Sequence, residues 1–296
     1  MLAAMAAERA ERQRDLGRIA LAYVVALLAA LAVGWALRSR HPIFVAAAAD
    51  LVATLVVFGF SVRYDNSSVY DPYWSVAPLP VAVYWAAGGT LGTRQLLVLG
   101  LIALWGVRLT GNWVARWRGM RDEDFRYQEI RRRTGRLYWP ASLVSIHLMP
   151  TVWVFLGLLP LYPALTRPAA ITAFDLVALI VTVAAIAIEA TADRELRRFL
   201  RTRRDPEAIL DQGLWARCRH PNYLGEVLFW WGLFLFGVAA SPAWAWSALG
   251  PLSITLLFVF VSVPWMDRRL LLRHPGAAQT MKALPALLPW PRRRRR

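Results

Sequence analysis

Seven or eight runs of roughly 18 to 23 mostly apolar residues recur along this chain, the length of helix that crosses the hydrocarbon core of a bilayer. Charged residues make up only 18% of the 296 positions and apolar ones 57%; a soluble domain carries about 25% charge. Both observations exclude an ordinary soluble enzyme and point to an all-α, polytopic membrane bundle. Cys218 is the only cysteine, so no intrachain disulfide and no cysteine-built zinc or iron–sulfur site is available. His41, His147, His220 and His274 lie far apart and lack the spacing of a metal motif.

Eight spans are predicted, over 19–37, 42–62, 76–90, 96–114, 142–161, 171–192, 223–240 and 244–266. The third contains Pro78, Pro80 and Gly88-Gly89, so a short, tilted or broken helix is expected there. Residues 1–18 are charged and helix-prone, and no small-residue cleavage site ends the first apolar run, which reads as an uncleaved helix. A formal net charge of +16 invites a nucleic-acid reading, but the distribution of Lys and Arg argues for a membrane instead, with no nucleic-acid partner. Segments 115–141 and 191–221 hold eight basic residues each and the tail after Met266 holds nine, out of 35. With eight spans, all three segments and both termini fall on one side, which the positive-inside rule makes cytoplasmic; Arg38 and Arg40 are the exception. The expected location is therefore the inner membrane.

Ionisable side chains inside spans are costly and mark function. Asp50, Asp71, Arg108, His147, Asp175, Glu189, Asp193 and Glu226 are the candidates. Glu189 and Asp193 are spaced i, i+4 and Arg197 continues their face; an ordinary helix-end ion pair, Asp193 with Arg197, is the lesser alternative for this spacing. The run from Gly213 to Glu226 joins the second basic loop to the seventh span, with Pro221 placed for a first helical turn. An aromatic-and-arginine belt at the membrane interface would have similar composition. Arg-His-Pro occurs three times, at 40–42, 219–221 and 273–275, and is uninformative without its context.

That context, Arg219-His220-Pro221-Asn222-Tyr223-Leu224-Gly225-Glu226 preceded by Gly213-Leu214-Trp215, resembles the C-terminal signature of the membrane steroid 5α-reductase superfamily, in its bacterial branch of largely uncharacterised proteins. Glu189 and Asp193, Glu123-Asp124-Phe125-Arg126-Tyr127, Trp105-Gly106-Val107-Arg108-Leu109 and Leu288-Pro289-Trp290-Pro291 also look like that branch, over roughly residues 60–291. The resemblance implies a seven-helix core and makes the first helix an addition. It divides the chain into an N-terminal charged segment and extra helix (1–41), a reductase-like membrane domain (42–291) and a basic tail (292–296). It implies an NADPH-dependent oxidoreductase that adds hydride to an activated carbon–carbon double bond of a lipophilic substrate, steroid-like or another lipid enone, in lipid metabolism. Asp193, Asn222 and Glu226 would lie near the nicotinamide and ribose, with Glu189, Tyr223 and His220 beside them and Arg108, Arg126, Arg197 and Arg219 toward the phosphates. Glu189 stands where the animal enzymes carry asparagine.

No Gly-x-Gly-x-x-Gly is present, so the cofactor would bind in a helical bundle and not a Rossmann fold. Hydride addition to an enone builds negative charge on the carbonyl oxygen, and a donor fixed there lowers the barrier. The animal enzymes use a glutamate and a tyrosine; here the tyrosine position corresponds to Trp105 and the nearest acid is Asp71 in Tyr70-Asp71-Pro72-Tyr73. The aromatic setting would raise the pKa of Asp71 and keep it a donor, with Tyr70 or Tyr73 replacing the phenol. Asp71 as the N-cap of a helix starting at Pro72 is the structural alternative. A second function class is the S-adenosylmethionine-dependent isoprenylcysteine methyltransferase, which shares Arg-His-Pro-x-Tyr but pairs it with a downstream acidic couple where this chain has only Asp267. A non-catalytic membrane protein is a third. The tail Arg292–Arg296 would attract anionic membrane lipids or be inert. The sequence names neither the substrate nor the oligomeric state.

Overall fold

The computed structural model describes residues 2–205 and 207–288; Pro289-Trp290-Pro291 and the basic tail lie outside them. Every regular element among the described residues is helical. In chain order they are α1 (Leu2–Ala36), α2 (Pro42–Arg63), α3 (Tyr73–Val76), α4 (Pro78–Ala87), α5 (Thr93–Arg116), α6 (Phe125–Thr134), α7 (Tyr138–Ser142), α8 (Met149–Leu158), α9 (Leu161–Thr166), α10 (Ala173–Thr202), α11 (Pro221–Ala240), α12 (Leu249–Leu257), α13 (Val263–Arg273) and α14 (Ala278–Ala283). Seven helical stretches are long and apolar enough to cross a membrane: Ala6–Ala36, α2, α5, Phe125–Leu158, α10, α11 and Pro242–Arg273. The protein is thus a multi-pass, all-α membrane bundle.

The expected third span is the short one. Tyr73 to Ala87 runs helically through α3 and α4, with Pro78 in the first turn of α4 and Gly88 at its C-terminal cap. Fifteen residues rise about 22 Å, against roughly 30 Å of hydrocarbon. The segment nonetheless crosses the bundle, since Trp85 donates its indole N–H to the Pro42 carbonyl at the start of α2. π-helical turns interrupt two of the spans, at Leu143–Leu148 and Phe258–Ser262.

The described parts of the three basic segments gather at one end of the bundle, the basic end. Arg12 of α1 donates to the carbonyls of Val114 and Trp117 at the close of α5, and Asp15 accepts from the Met120 amide at 2.9 Å. Asn66, after α2, donates to the Met120 carbonyl. At the other end, Arg94 at the start of α5 meets Asp175 at the start of α10. Eight traverses, seven long and one short, therefore place the Arg12 region of α1 and the 275–286 strap at the same end.

A buried aromatic and aliphatic core, including Trp85, Trp105, Phe229 and Trp230, lies between α4, α5, α8, α10 and α11. Helices in lipid gain little from hydrophobic burial and approach through small residues. Gly225 faces α10 so closely that a β-carbon there would lie 2.6 Å from Glu189 Cβ and 2.8 Å from the Ala185 carbonyl. Gly232, two turns on, faces Thr182 in the same way. Gly225→Ala is expected to cost about 1–3 kcal/mol through overpacking, read as a lower melting temperature in detergent; an unchanged melt would mean that α10 and α11 are not in close contact.

Candidate functional site

Arg108 is the hub of a polar ladder inside the bundle. On α5, Trp105, Arg108 and Asn112 recur at i, i+3 and i+7, and on α10 Glu189, Asp193 and Arg197 recur every four residues, so each set occupies one helix face. Arg108 Nη2 lies 2.5 Å from Glu189 Oε2 and Nη1 lies 3.0 Å from Asp193 Oδ2. Asn112 donates to Asp193 Oδ2 at 2.5 Å and accepts from Arg197. The expected direct Asp193–Arg197 pair is therefore replaced by an asparagine bridge. Glu226 on α11 accepts indole N–H groups on both oxygens, from Trp105 at 3.0 Å and Trp230 at 2.8 Å. Trp105 is thus a donor to a carboxylate and stacks on Phe229 at 4.6 Å.

The signature run builds the mouth of this ladder. Gly213 has φ +59°, a left-handed conformation suited to glycine, and the Glu195 side chain fills the space a β-carbon would need while accepting from the Leu214 amide. Trp215 donates to the Ala192 carbonyl, fixing the turn to α10. Pro221 opens α11 in its first turn, as the sequence predicts. Asn222 lies one turn before Glu226 on the same face, and its Oδ1 is buried without a partner. Arg108 Nε is a buried donor without one. Buried polar atoms are normally satisfied; Trp117 Nε1 and Arg219 Nε are likewise buried without a partner.

Arg219 is not free for phosphate, contrary to expectation. Its guanidinium donates to the Met281 and Leu284 carbonyls, each at 2.8 Å, and to Asp267 Oδ2 at 2.9 Å. Its backbone amide and that of His220 donate to the Pro285 and Ala286 carbonyls. His220 Nε2 meets Asp267 Oδ1 at 2.9 Å while its ring stacks on Tyr223. Burial lowers the His220 pKa, with the Asp267 carboxylate opposing. Arg-His of the signature thereby straps residues 281–286 across the basic end. Arg126 pairs with Asp124 and lies, with Arg116, near Tyr223.

The tyrosines and Asp71 part company. Tyr70 and Tyr73 share a face and stack at 5.1 Å, as their three-residue spacing predicts. Asp71 points elsewhere and accepts the Tyr127 hydroxyl at 2.6 Å. It is not an N-cap either: it closes a 3₁₀ turn, and α3 begins after Pro72 with no side-chain cap. The acid beside Tyr73 is Asp50 of α2, whose Oδ1 accepts the phenol at 2.7 Å. Tyr70 meets Thr151, which meets Thr54, each at 2.7 Å. His147, in the first π-helical turn, lies under Tyr70 and bonds Ser61 through Nε2. α3 joins the two clusters, with Tyr73 in this one and Trp74 edge-on to Trp105.

Asp50 and His147 stood out as ionisable residues in spans; only the packing of α2 on α3 reveals that Asp50 serves Tyr73. Asn112, Thr54 and Thr151 carry no comparable signal, although Asn112 four residues after Arg108 extends its face.

Burial pushes the Asp71 carboxyl up from 3.8 to about 6, aided by the charge of Asp124 and opposed by the Tyr127 hydroxyl. The direction is the one its aromatic setting predicts, but the hydroxyl it meets is that of Tyr127 and not of Tyr70 or Tyr73. The folded state binds this proton more tightly than the unfolded state, so the stability contributed is present below about pH 4 and lost as pH rises through about 6. Asp71→Asn is expected to flatten the pH dependence of stability between those two values, by up to about 3 kcal/mol; an unchanged slope would place the titration elsewhere.

The chain is 25% identical over 231 residues to an uncharacterized protein of the fission yeast Schizosaccharomyces pombe, covering 69% of this chain and 67% of that one. No solved structure matches. Residues 57–279, which include the ladder, the signature and Tyr73 but not its partner Asp50, match the model of a protein family of unknown function, DUF1295. The chain belongs to the DUF1295 family.

Proposed function

We propose that this protein is a membrane-embedded, NADPH-dependent reductase of an activated carbon–carbon double bond in a lipophilic enone. The observation that carries the reading is the buried Asp50–Tyr73 pair, an acid and a phenol 2.7 Å apart inside a membrane bundle and one residue from the helix face that meets the Arg108 ladder.

The residues fit the cofactor at two places. Asn222 Oδ1 and Arg108 Nε are a buried acceptor and a buried donor without partners, and a carboxamide brings the complementary donor and acceptor. Arg118, Arg201, Arg204, Arg217 and Arg268 form no ion pair among the described residues and stand in the basic segments, where phosphates need cations. When bound, the dihydronicotinamide supplies the hydride. Tyr73 turns its hydroxyl proton from Asp50 to the substrate carbonyl, and Asp50, protonated in the resting state, then gives its own proton to the phenolate oxygen. Tyr70, stacked on Tyr73 and tied through Thr151 to Thr54, keeps the phenol in place. Apolar side chains exposed along the spans leave the substrate's lipid tail a route from the bilayer.

The test is nucleotide binding and turnover by the purified protein in nanodiscs. NADPH binding, with oxidation dependent on a lipophilic enone, is expected. Binding of S-adenosylmethionine without NADPH would replace the reading with a methyltransferase, and binding of neither would leave a non-catalytic protein.

The basic end faces the cytoplasm of an inner membrane on this reading. Because Cys218 is buried, single cysteines can report sidedness. A cysteine at exposed Arg118 is expected to react with an impermeant maleimide only from the cytoplasmic side and one at exposed Arg38 only from the other. Labelling of both from one side would overturn the eight-traverse topology.

A further inference from the structure

The Arg108 ladder contains three carboxyl groups, Glu189, Asp193 and Glu226, and two guanidinium groups, Arg108 and Arg197, the second reaching the others only through Asn112. Counted as ionised, the ladder carries one uncompensated negative charge among helices that cross a bilayer. Charge in that setting is costly unless neutralised. The excess falls on one pair. Asp193 has Arg108 and Asn112, whereas Glu226 has only the neutral indoles of Trp105 and Trp230. Gly225 brings the α11 backbone against Glu189 Cβ, and Trp105, one turn before Arg108 on the same face of α5, holds the Glu226 carboxyl beside the Arg108–Glu189 pair. Two carboxylates hold four acceptor atoms and no donor, so a hydrogen bond between them requires a proton.

We infer that Glu189 and Glu226 hold one proton between them, forming a proton-binding site within the membrane-spanning part of the bundle. The groups facing the pair are Arg108 from α5, Asp193 from α10 and the two indole N–H groups; α3 offers uncharged Trp74. The proton makes the ladder neutral as a whole. Its removal requires another positive charge, so a cationic ligand on the Asn222 face expels it and an anionic ligand retains it. Ligand binding at this mouth is thereby linked to pH whatever reaction the protein performs.

Infrared difference spectroscopy of the protein in nanodiscs at neutral pH tests the inference without any substrate. A carbonyl-stretch band of a protonated, buried carboxylic acid is expected, shifting in heavy water and moving when glutamate is labelled with carbon-13 at its carboxyl. Glu189→Gln and Glu226→Gln are each expected to abolish it. Asp193→Asn, which leaves both glutamates in place, is expected to abolish it too, because the ladder then balances with the pair ionised. Absence of the band from the unmodified protein, a band unmoved by labelled glutamate, or one that persists in Asp193→Asn overturns the inference. The labelling arm needs no variant, so a substitution that prevents folding leaves the answer intact.

Discussion

Tyr73→Phe is expected to lower turnover of a lipophilic enone by about 10² to 10⁴, the usual contribution of a positioned general acid, while NADPH binding stays unchanged. The substitution removes one oxygen and keeps the ring, so the stack on Tyr70 and the edge contact with Tyr23 at 6.0 Å survive. It also leaves Asp50 Oδ1 without its 2.7 Å donor, at a stability cost of about 1–3 kcal/mol for a buried acceptor. Assays below the melting temperature separate that cost from catalysis. Asp50→Asn still accepts from Tyr73 but cannot supply a proton, and its loss of turnover should approach that of Tyr73→Phe. Asp71→Asn should turn over nearly normally, because its carboxylate faces Tyr127. If Asp71→Asn lost activity while Tyr73→Phe kept it, the donor would be the Asp71–Tyr127 pair and the substrate would lie against α6 instead of α2.

Much of the fold is legible in the sequence because membrane helices declare themselves by length and apolarity. Among the described residues, most basic side chains of segments 115–141, 191–221 and 267–288 also fall at one end, with Arg38 and Arg40 as exceptions. Boundaries are less legible. The segment 171–192 becomes α10 and continues to Thr202, more than two turns past the apolar run, because Arg197 and Glu195 find partners there in Asn112 and Leu214. Helix spacing by itself places Glu189, Asp193 and Arg197 on one face. Partnership across helices is a different kind of information. Local pattern puts Asp71 between two tyrosines, yet a neighbour in sequence points about 100° away on a helix, and the acid that meets Tyr73 comes from α2, 23 residues earlier. Arg219 misleads for a related reason: a signature arginine suggests a phosphate, but its partners are carbonyls of residues 281 and 284, which no motif connects to it.

The ion pair at the opposite end carries the largest expected effect on stability. Arg94 and Asp175 are 1% and 2% exposed and meet through two parallel bonds of 2.6 and 2.7 Å. The same guanidinium donates to the Ala169 and Ala170 carbonyls, and Asp175 accepts from the Thr172 amide and hydroxyl at the start of α10. One side chain therefore ties the start of α5 to the loop before α10 and to the first turn of α10. Arg94→Ala leaves a buried carboxylate without its countercharge, and breaking one side of such a pair costs about 3–5 kcal/mol, or roughly 10 °C in melting temperature for a chain of this size. Charge alone does not account for the whole effect. In Arg94→Met with Asp175→Leu no buried charge is stranded, so the double variant should recover part of the loss; what remains measures the Ala169 and Ala170 carbonyls left without a donor. A double variant no better than Arg94→Ala would mean that the loop contacts, not the ion pair, hold α5 and α10 together at this end.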